Sequence, residues 1–305
     1  MQLARYEEIA WVVSAGTRGG GSKTSEQLAK GEEGFKYKRL FTGRVGEPGN
    51  FEMVVLRTEA AANLRHFPRH RHAFEQVRLT LAGKPDWTPG SVTPEGWVIY
   101  VGAGTYYGPY DRQGGHEQLH IQFQGAGCPP FLNYEEMTVA RDALAKKGSF
   151  EKGVFTWIDE RGQRHNKDGH AATVEQATGM PLVMPAPRIA DPVNMNPEAC
   201  AWVDVAPGVQ RKELGSFTEG ETRISFLRLE PGARYDIPRA RQRMLFFVCA
   251  GTGSVNGKAL AERDGIMLDE GESGARLTAT TELQLFVMDL PKLALMQAAR
   301  EASLV

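Results

Sequence analysis

The sequence predicts an all-β fold of two tandem barrels with a few short helices. Three observations carry this: short strands broken at even intervals by Gly and Pro, a repeat between the two halves of the chain, and scarce helical periodicity. The strand-like runs are Phe51–Leu56, Gln76–Leu81, Trp97–Val101 and Leu119–Phe123, then Ile224–Leu229 and Leu283–Met288. Each is rich in Val, Ile, Leu or aromatic residues and bounded by turn formers, as expected for a sandwich or barrel. Helical signals are confined to Tyr134–Lys147, with its acidic start and Lys-Lys end, and to the tail Lys292–Ser303.

The repeat sets the domain plan. Phe51–Leu56, a turn, and HRHAFEQVRLTLAG ending at Gly83 parallel Ile224–Leu229, a turn, and PRARQRMLFFVCAG ending at Gly251. His70 and Gly83 are thirteen positions apart, as are Pro238 and Gly251. The predicted division is a first barrel over 1–148, a connector over 149–200 and a second barrel over 201–305. The connector is charged, then proline-rich (MPLVMPAPRIADPVNMNP), and is predicted to hold little regular structure.

Composition narrows the function classes. A chain of 305 residues with 24% charged residues and a formal net charge of −1 has no electrostatic case for nucleic acid or an anionic membrane. Its longest apolar runs, such as Met244–Ala250, are far too short to span a bilayer, and the start lacks a secretory pattern. Cys128, Cys200 and Cys249 form no paired spacing, which points to a reducing, cytoplasmic setting. The Gly16–Thr24 stretch has the composition of a phosphate loop, but Ser22 separates Lys23 from the last Gly, so it is expected to be a surface loop.

The residues with chemistry sit in HRHAFEQ, 70–76. Alternate residues of a strand share a face, so His70, His72, Gln76, Arg78 and Thr80 are predicted to line one side, with Glu75 turned to the other. Two imidazoles on one strand suit a divalent metal, although an isolated pair also fits a hydrogen-bonded or solvent-facing couple. Arg78, as a buried cation, either binds a substrate carboxylate or makes an internal ion pair. His116 and His120 share parity with Gln118 and Gln122; that stripe either faces inward or faces solvent. His66, His165 and His170 are expected in surface loops.

These residues resemble the cupin superfamily, and in particular two-barrel bicupins. The first cupin motif is Gly, five residues, His-x-His, three or four residues, Glu, six residues, Gly. His70, His72, Gln76 and Gly83 match its spacing, with Gln at the Glu position and Leu64 in place of the leading Gly. The second motif is matched by Gly96, Gly102, Gly104, Tyr107 and Asp111, with Tyr107 replacing the ligand His. In the second barrel, Pro238, Ala240 and Met244 stand at the ligand positions and Arg276 near the last, so that barrel is expected to be degenerate and to serve as scaffold, dimer contact or lid.

The resemblance implies jelly-roll barrels and a metal-dependent enzyme active in the first barrel only. The metal is expected to be Fe(II), with Mn, Ni, Cu or Zn as alternatives, bound by His70, His72, Gln76 and His120. Arg78 and Tyr107 are the expected catalytic residues: Arg78 orients a carboxylate, and Tyr107 binds as phenolate or moves a proton. The substrate is a small organic acid, enol or aromatic metabolite, and the reaction dioxygenase-like; an isomerase or lyase, or a non-catalytic small-molecule sensor or store, are the alternatives. A homodimer is expected, with no nucleic-acid or membrane partner.

Overall fold

The computed structural model describes residues 1–14, 35–44, 47, 49–58, 65–67, 69–112, 115–125, 131–151, 153–217 and 221–292. The Gly16–Thr24 stretch and all but the first residue of the Lys292–Ser303 tail lie outside them. The chain divides into two compact units: Trp11–Gln124 with Cys128–Asn194, and Met1–Ala10 with Gly125–Gly127 and Met195–Val305.

The first unit is built on an antiparallel sheet. Six of its seven strands run in the order Val98–Val101, Glu75–Ala82, His116–Phe123, Phe51–Thr58, Phe35–Thr42 and Val12–Ser14. His116–Phe123 is central, paired to Phe51–Thr58 on one side and to Glu75–Ala82 on the other, and all eight of its residues are buried. A strand covered on both faces has no solvent side, so the Gln118–Gln122 stripe cannot face water. On one face, Tyr37, Val54, Leu56, Ile99 and Val101 join Trp87, Tyr107, Tyr110 and Tyr134 in a core rich in aromatic residues.

Regular structure fills the first part of the stretch predicted to have little, whereas 180–192, in its proline-rich part, carries no strand or helix. Strands Gly148–Glu151, Val154–Ile158 and Arg164–Asp168 form an antiparallel meander, followed by helix Gly169–Thr178. Arg164–Asp168 (RHNKD) alternates between exposed and half-buried and contains no apolar residue, so hydrophobic periodicity has nothing to report there. The helix has ordinary end signals. The Asp168 side chain accepts from the Ala171 N–H, and Gly179 closes the C-terminus in the left-handed conformation at φ 69°. Helix Tyr134–Ala145 falls where acidic residues and apolar spacing predict it, and opens with a reciprocal capping box between Asn133 and Glu136.

The second unit carries the repeat. Its main sheet runs Gln2–Ala4, Gly265–Leu268, Met244–Ala250, Leu283–Asp289, Thr222–Leu229, Val209–Phe217 and Val203–Ala206. The N-terminal strand therefore belongs here: Gln2–Ala4 pairs with Gly265–Met267, and Arg5 is ion-paired with Asp264 at 2.9 Å. The repeated glycines share one physical cause. Gly83 and Gly251 have φ of +83° and +85°, and a Cβ would meet His116 Cβ at 2.9 Å in the first case and Glu282 O at 1.8 Å in the second.

Candidate functional site

The inner face of the first sheet carries a polar stripe beside that aromatic core. Gln76, Arg78 and Thr80 alternate along Glu75–Ala82 and stand opposite Gln122, His120 and Gln118. All six are buried. Buried polar atoms need partners, and these side chains supply part of one another's, while Gln76 Nε2 and Gln122 Oε1 are left without one. Gln118 Nε2 donates to Thr80 Oγ1 at 3.3 Å, and Thr80 Oγ1 donates to the Thr93 carbonyl at 3.1 Å. His120 Nε2 lies 3.1 Å from Gln118 Oε1. Arg78 Nη2 and Gln122 Nε2 both donate to Gln76 Oε1, at 2.6 and 3.2 Å.

His70 and His72 enter from the segment before this strand. Backbone bonds between His70 and Tyr107, 3.0 and 2.9 Å long, tie the two motifs together, and the Gly104 N–H donates to the His72 carbonyl at 2.7 Å. The His70 and His72 rings are 5.2 Å apart between centroids, and the Tyr107 ring lies 4.3 Å from that of His70. Tyr107 hydroxyl is 2.9 Å from His72 Nε2 and receives a longer bond, 3.4 Å, from Arg78 Nη2. His70, His72, Tyr107, Arg78 and Gln76 thus form one connected group. His120 lies on the same face but is bonded towards Gln118, and His116, buried at the end of that strand, reaches Thr58 Oγ1 at 3.4 Å.

The expectation of a surface loop fails for His170. It is buried in the first turn of Gly169–Thr178, with its ring 5.4 Å from His72 and 6.2 Å from Phe74. Asp168 and Gly179, a cap residue and a terminating glycine bracketing ten residues, were the available signal for that helix. His165 lies in a strand rather than a loop, stacked on Trp157 with Nε2 2.9 Å from Asp159, away from this group. The His66 side chain lies outside the described residues.

Glu75 faces away from the site, as parity predicts. Tyr100 hydroxyl donates to Glu75 Oε2 at 2.8 Å. Burial pushes the carboxyl up to about 7, against the opposing pull of that hydrogen bond and of the Arg188 charge.

Arg78 is the unusual member. It is 4% exposed, its guanidinium carbon stands 3.8 Å from the Trp87 ring centroid, and its Nε and Nη1 have no accepting partner. No carboxylate pairs with it among the described residues. The internal-ion-pair alternative therefore does not hold. Arg39, on the Phe35–Thr42 strand of the same sheet, shows the ordinary solution: its Nε and Nη2 both donate to buried Glu52, at 3.0 and 2.7 Å.

Among the described residues no three His, Cys, Asp or Glu side chains converge as a metal-binding group. The donors that suit a divalent cation are the His70 and His72 imidazoles, with the Tyr107 oxygen beside them. Gln76 Oε1 is already accepting two N–H groups.

Comparisons with known proteins agree with this architecture. Residues 217–290 match the family model of the quercetinase C-terminal cupin domain. No curated protein matches the chain by sequence. Among solved structures, a candidate dioxygenase from Nostoc punctiforme is similar at a TM-score of 0.56 and 11% identity, over 95% of this chain and 82% of that one. Streptomyces albus HEPD, solved with 2-hydroxyethylphosphonate and Fe(II), is similar at a TM-score of 0.54 and 11% identity, over 100% of this chain and 79% of that one. The class is therefore a two-barrel, all-β jelly-roll protein. The fold is that of cupin proteins, and residues 217–290 are similar to a quercetinase C-terminal cupin domain. Among the described residues no helix is long and apolar enough to cross a membrane.

Proposed function

We propose that the first barrel is the site of a metal-dependent, dioxygenase-like enzyme acting on a small organic acid. One observation carries this: a buried Arg78 guanidinium with no carboxylate partner, joined through Tyr107 to His72. A cation in that state calls for an anion, and the ligand is the natural source. His70 and His72 would hold the metal, Fe(II) or another divalent transition ion, which when bound supplies a Lewis-acid and O₂-binding centre. Arg78 binds and orients the acid group. Tyr107, within hydrogen-bond distance of both Arg78 and His72, holds a proton at its hydroxyl where the substrate meets the histidines. Trp87 covers the guanidinium and excludes water from it. HEPD offers a precedent on the same fold for Fe(II) beside a small organic anion.

The rival reading is a non-catalytic organic-acid sensor or store in the same barrel. It is favoured by the lack of a three-ligand His, Cys, Asp or Glu group among the described residues. Metal analysis separates the two. After growth with added iron and manganese, the wild type should hold close to one equivalent and His72→Ala very little. Less than about a tenth of an equivalent in the wild type would reject the metal enzyme in favour of the binding protein.

A further inference from the structure

We propose that Arg78, Gln76, Tyr107 and Trp87 form an oxyanion subsite, suited best to a carboxylate, that works without metal, and that Gln76 is the residue keeping it open. The proposal takes from the reading above only that this barrel binds an organic acid.

Of the three arginines on the strands of this sheet, Arg57 pairs with Glu117, and Arg39 and Arg78 differ in what stands beside them. Arg39 lies against the Glu52 carboxylate and is neutralised by it. Arg78 lies against Gln76, an amide of nearly the same shape as Glu, at 2.6 Å. The amide oxygen satisfies Nη2 as a carboxylate oxygen would but brings no charge. A glutamate at 76, the residue type that the cupin motif carries there, would form with Arg78 the same internal pair that Glu52 forms with Arg39. It would close the subsite by neutralising it.

The Gln76 oxygen is shared, since Gln122 Nε2 also donates to it at 3.2 Å, and it is this oxygen that faces Arg78. Trp87 covers the guanidinium face at 3.8 Å, and an aromatic face favours a cation without neutralising it. Tyr107 hydroxyl takes the remaining, longer contact on Nη2 at 3.4 Å. What is left over is Nε and Nη1, nine-tenths or more buried and with no acceptor. These two N–H donors are the ones that a ligand's oxygens can meet. A planar, two-oxygen anion matches those donors best, which makes a carboxylate the preferred ligand class.

Calorimetric titration of the full chain, stripped of metal with a chelator, tests this. The probes are acetate and benzoate, with acetamide and benzamide as uncharged counterparts. At least one carboxylate should bind wild type about ten-fold or more tightly than its amide. Gln76→Glu, stripped in the same way, should lose about ten-fold or more of that affinity. Arg78→Met should lose the preference for carboxylate over amide. Wild-type affinity in Gln76→Glu, or no carboxylate preference in the wild type, overturns the proposal. Should Gln76→Glu fail to fold by thermal melting, Arg78→Met decides, and a retained preference there overturns it. Carboxylate binding that appears only with metal restored would also overturn it while leaving the metal enzyme standing. Binding in a protein that never holds metal would do the reverse.

Discussion

The two barrels share a strand plan and have opposite interiors. Arg78 and Phe246 occupy equivalent places in the repeat, as do Gln76 and Met244, and Thr80 and Val248. Phe246 stands opposite Val287 and Val248 opposite Leu285, whereas Arg78 stands opposite His120 and Thr80 opposite Gln118. The second interior is an unbroken apolar cluster that includes Leu227, Leu229, Phe246, Val248, Leu283, Leu285 and Val287. Such a core stabilises by removing area from water and needs no partner chosen for it. The first interior replaces much of that area with amides, imidazoles and a cation, each of which must be bonded or leave a cost unmet. The difference marks the first interior as the one with side chains to offer a ligand. Arg276, near the last ligand position of the second barrel, is an exposed residue paired with Asp236 and takes no part in an interior site.

The sharpest way to break this comparison is to exchange the character of one equivalent position. Phe246→Arg puts a cation where no acceptor waits, and should destabilise the protein by more than about 4 kcal/mol, or prevent its folding, in urea unfolding. A variant tolerated within about 1 kcal/mol would mean that the second interior is not the dry scaffold described. Next in size is Glu75→Gln, on the opposite face of the site strand. The folded carboxyl titrates at about 7 against an ordinary 4.5, so the native state keeps a proton that the unfolded chain releases between those values. The stability contributed is complete below pH 4.5 and falls as pH rises to 7, by up to about 3 kcal/mol. Glu75→Gln should therefore match wild type near pH 4 and exceed it near pH 8, as read by denaturant unfolding at both. A difference that does not change with pH would remove Glu75 as the titrating group. The smallest effect is expected at the far end of the polar stripe. His116→Gln should leave benzoate affinity at the wild-type value, since His116 reaches towards Thr58 and stands outside the connected group around Arg78.

Most of the architecture was legible from the residues. The strands of both barrels announced themselves by composition, and the thirteen-position repeat exposed the second barrel although Pro238, Ala240 and Met244 stand where the first has His70, His72 and Gln76. Strand parity placed Gln76 and Arg78 together and turned Glu75 away, because a period of two leaves a strand residue only two faces. Parity could not tell inward from outward for Gln118, His120 and Gln122. That depends on the strand being central and covered on both faces, a tertiary fact. The surface meander and helix of 148–178 escaped because RHNKD lacks hydrophobic periodicity, and His170 escaped with them. Its nearness to His72 is made by packing between segments far apart in the chain. The state of Arg78 was also closed to sequence, since pairing with a carboxylate or with none leaves the same local pattern.

The central claim is that the first barrel carries an unneutralised buried cation for a ligand's sake, at the expense of stability. Equilibrium urea unfolding of Arg78→Met beside wild type, each with and without benzoate, tests it most directly. Replacing an unpaired buried charge by an apolar side chain of similar length should raise ligand-free stability by at least about 1 kcal/mol. Saturating benzoate, at about a hundred times its dissociation constant for wild type, should add about 2.7 kcal/mol to the wild type and nothing to the variant. An Arg78→Met protein less stable than wild type without ligand, or equally stabilised by benzoate, would show that Arg78 serves the fold and not the site.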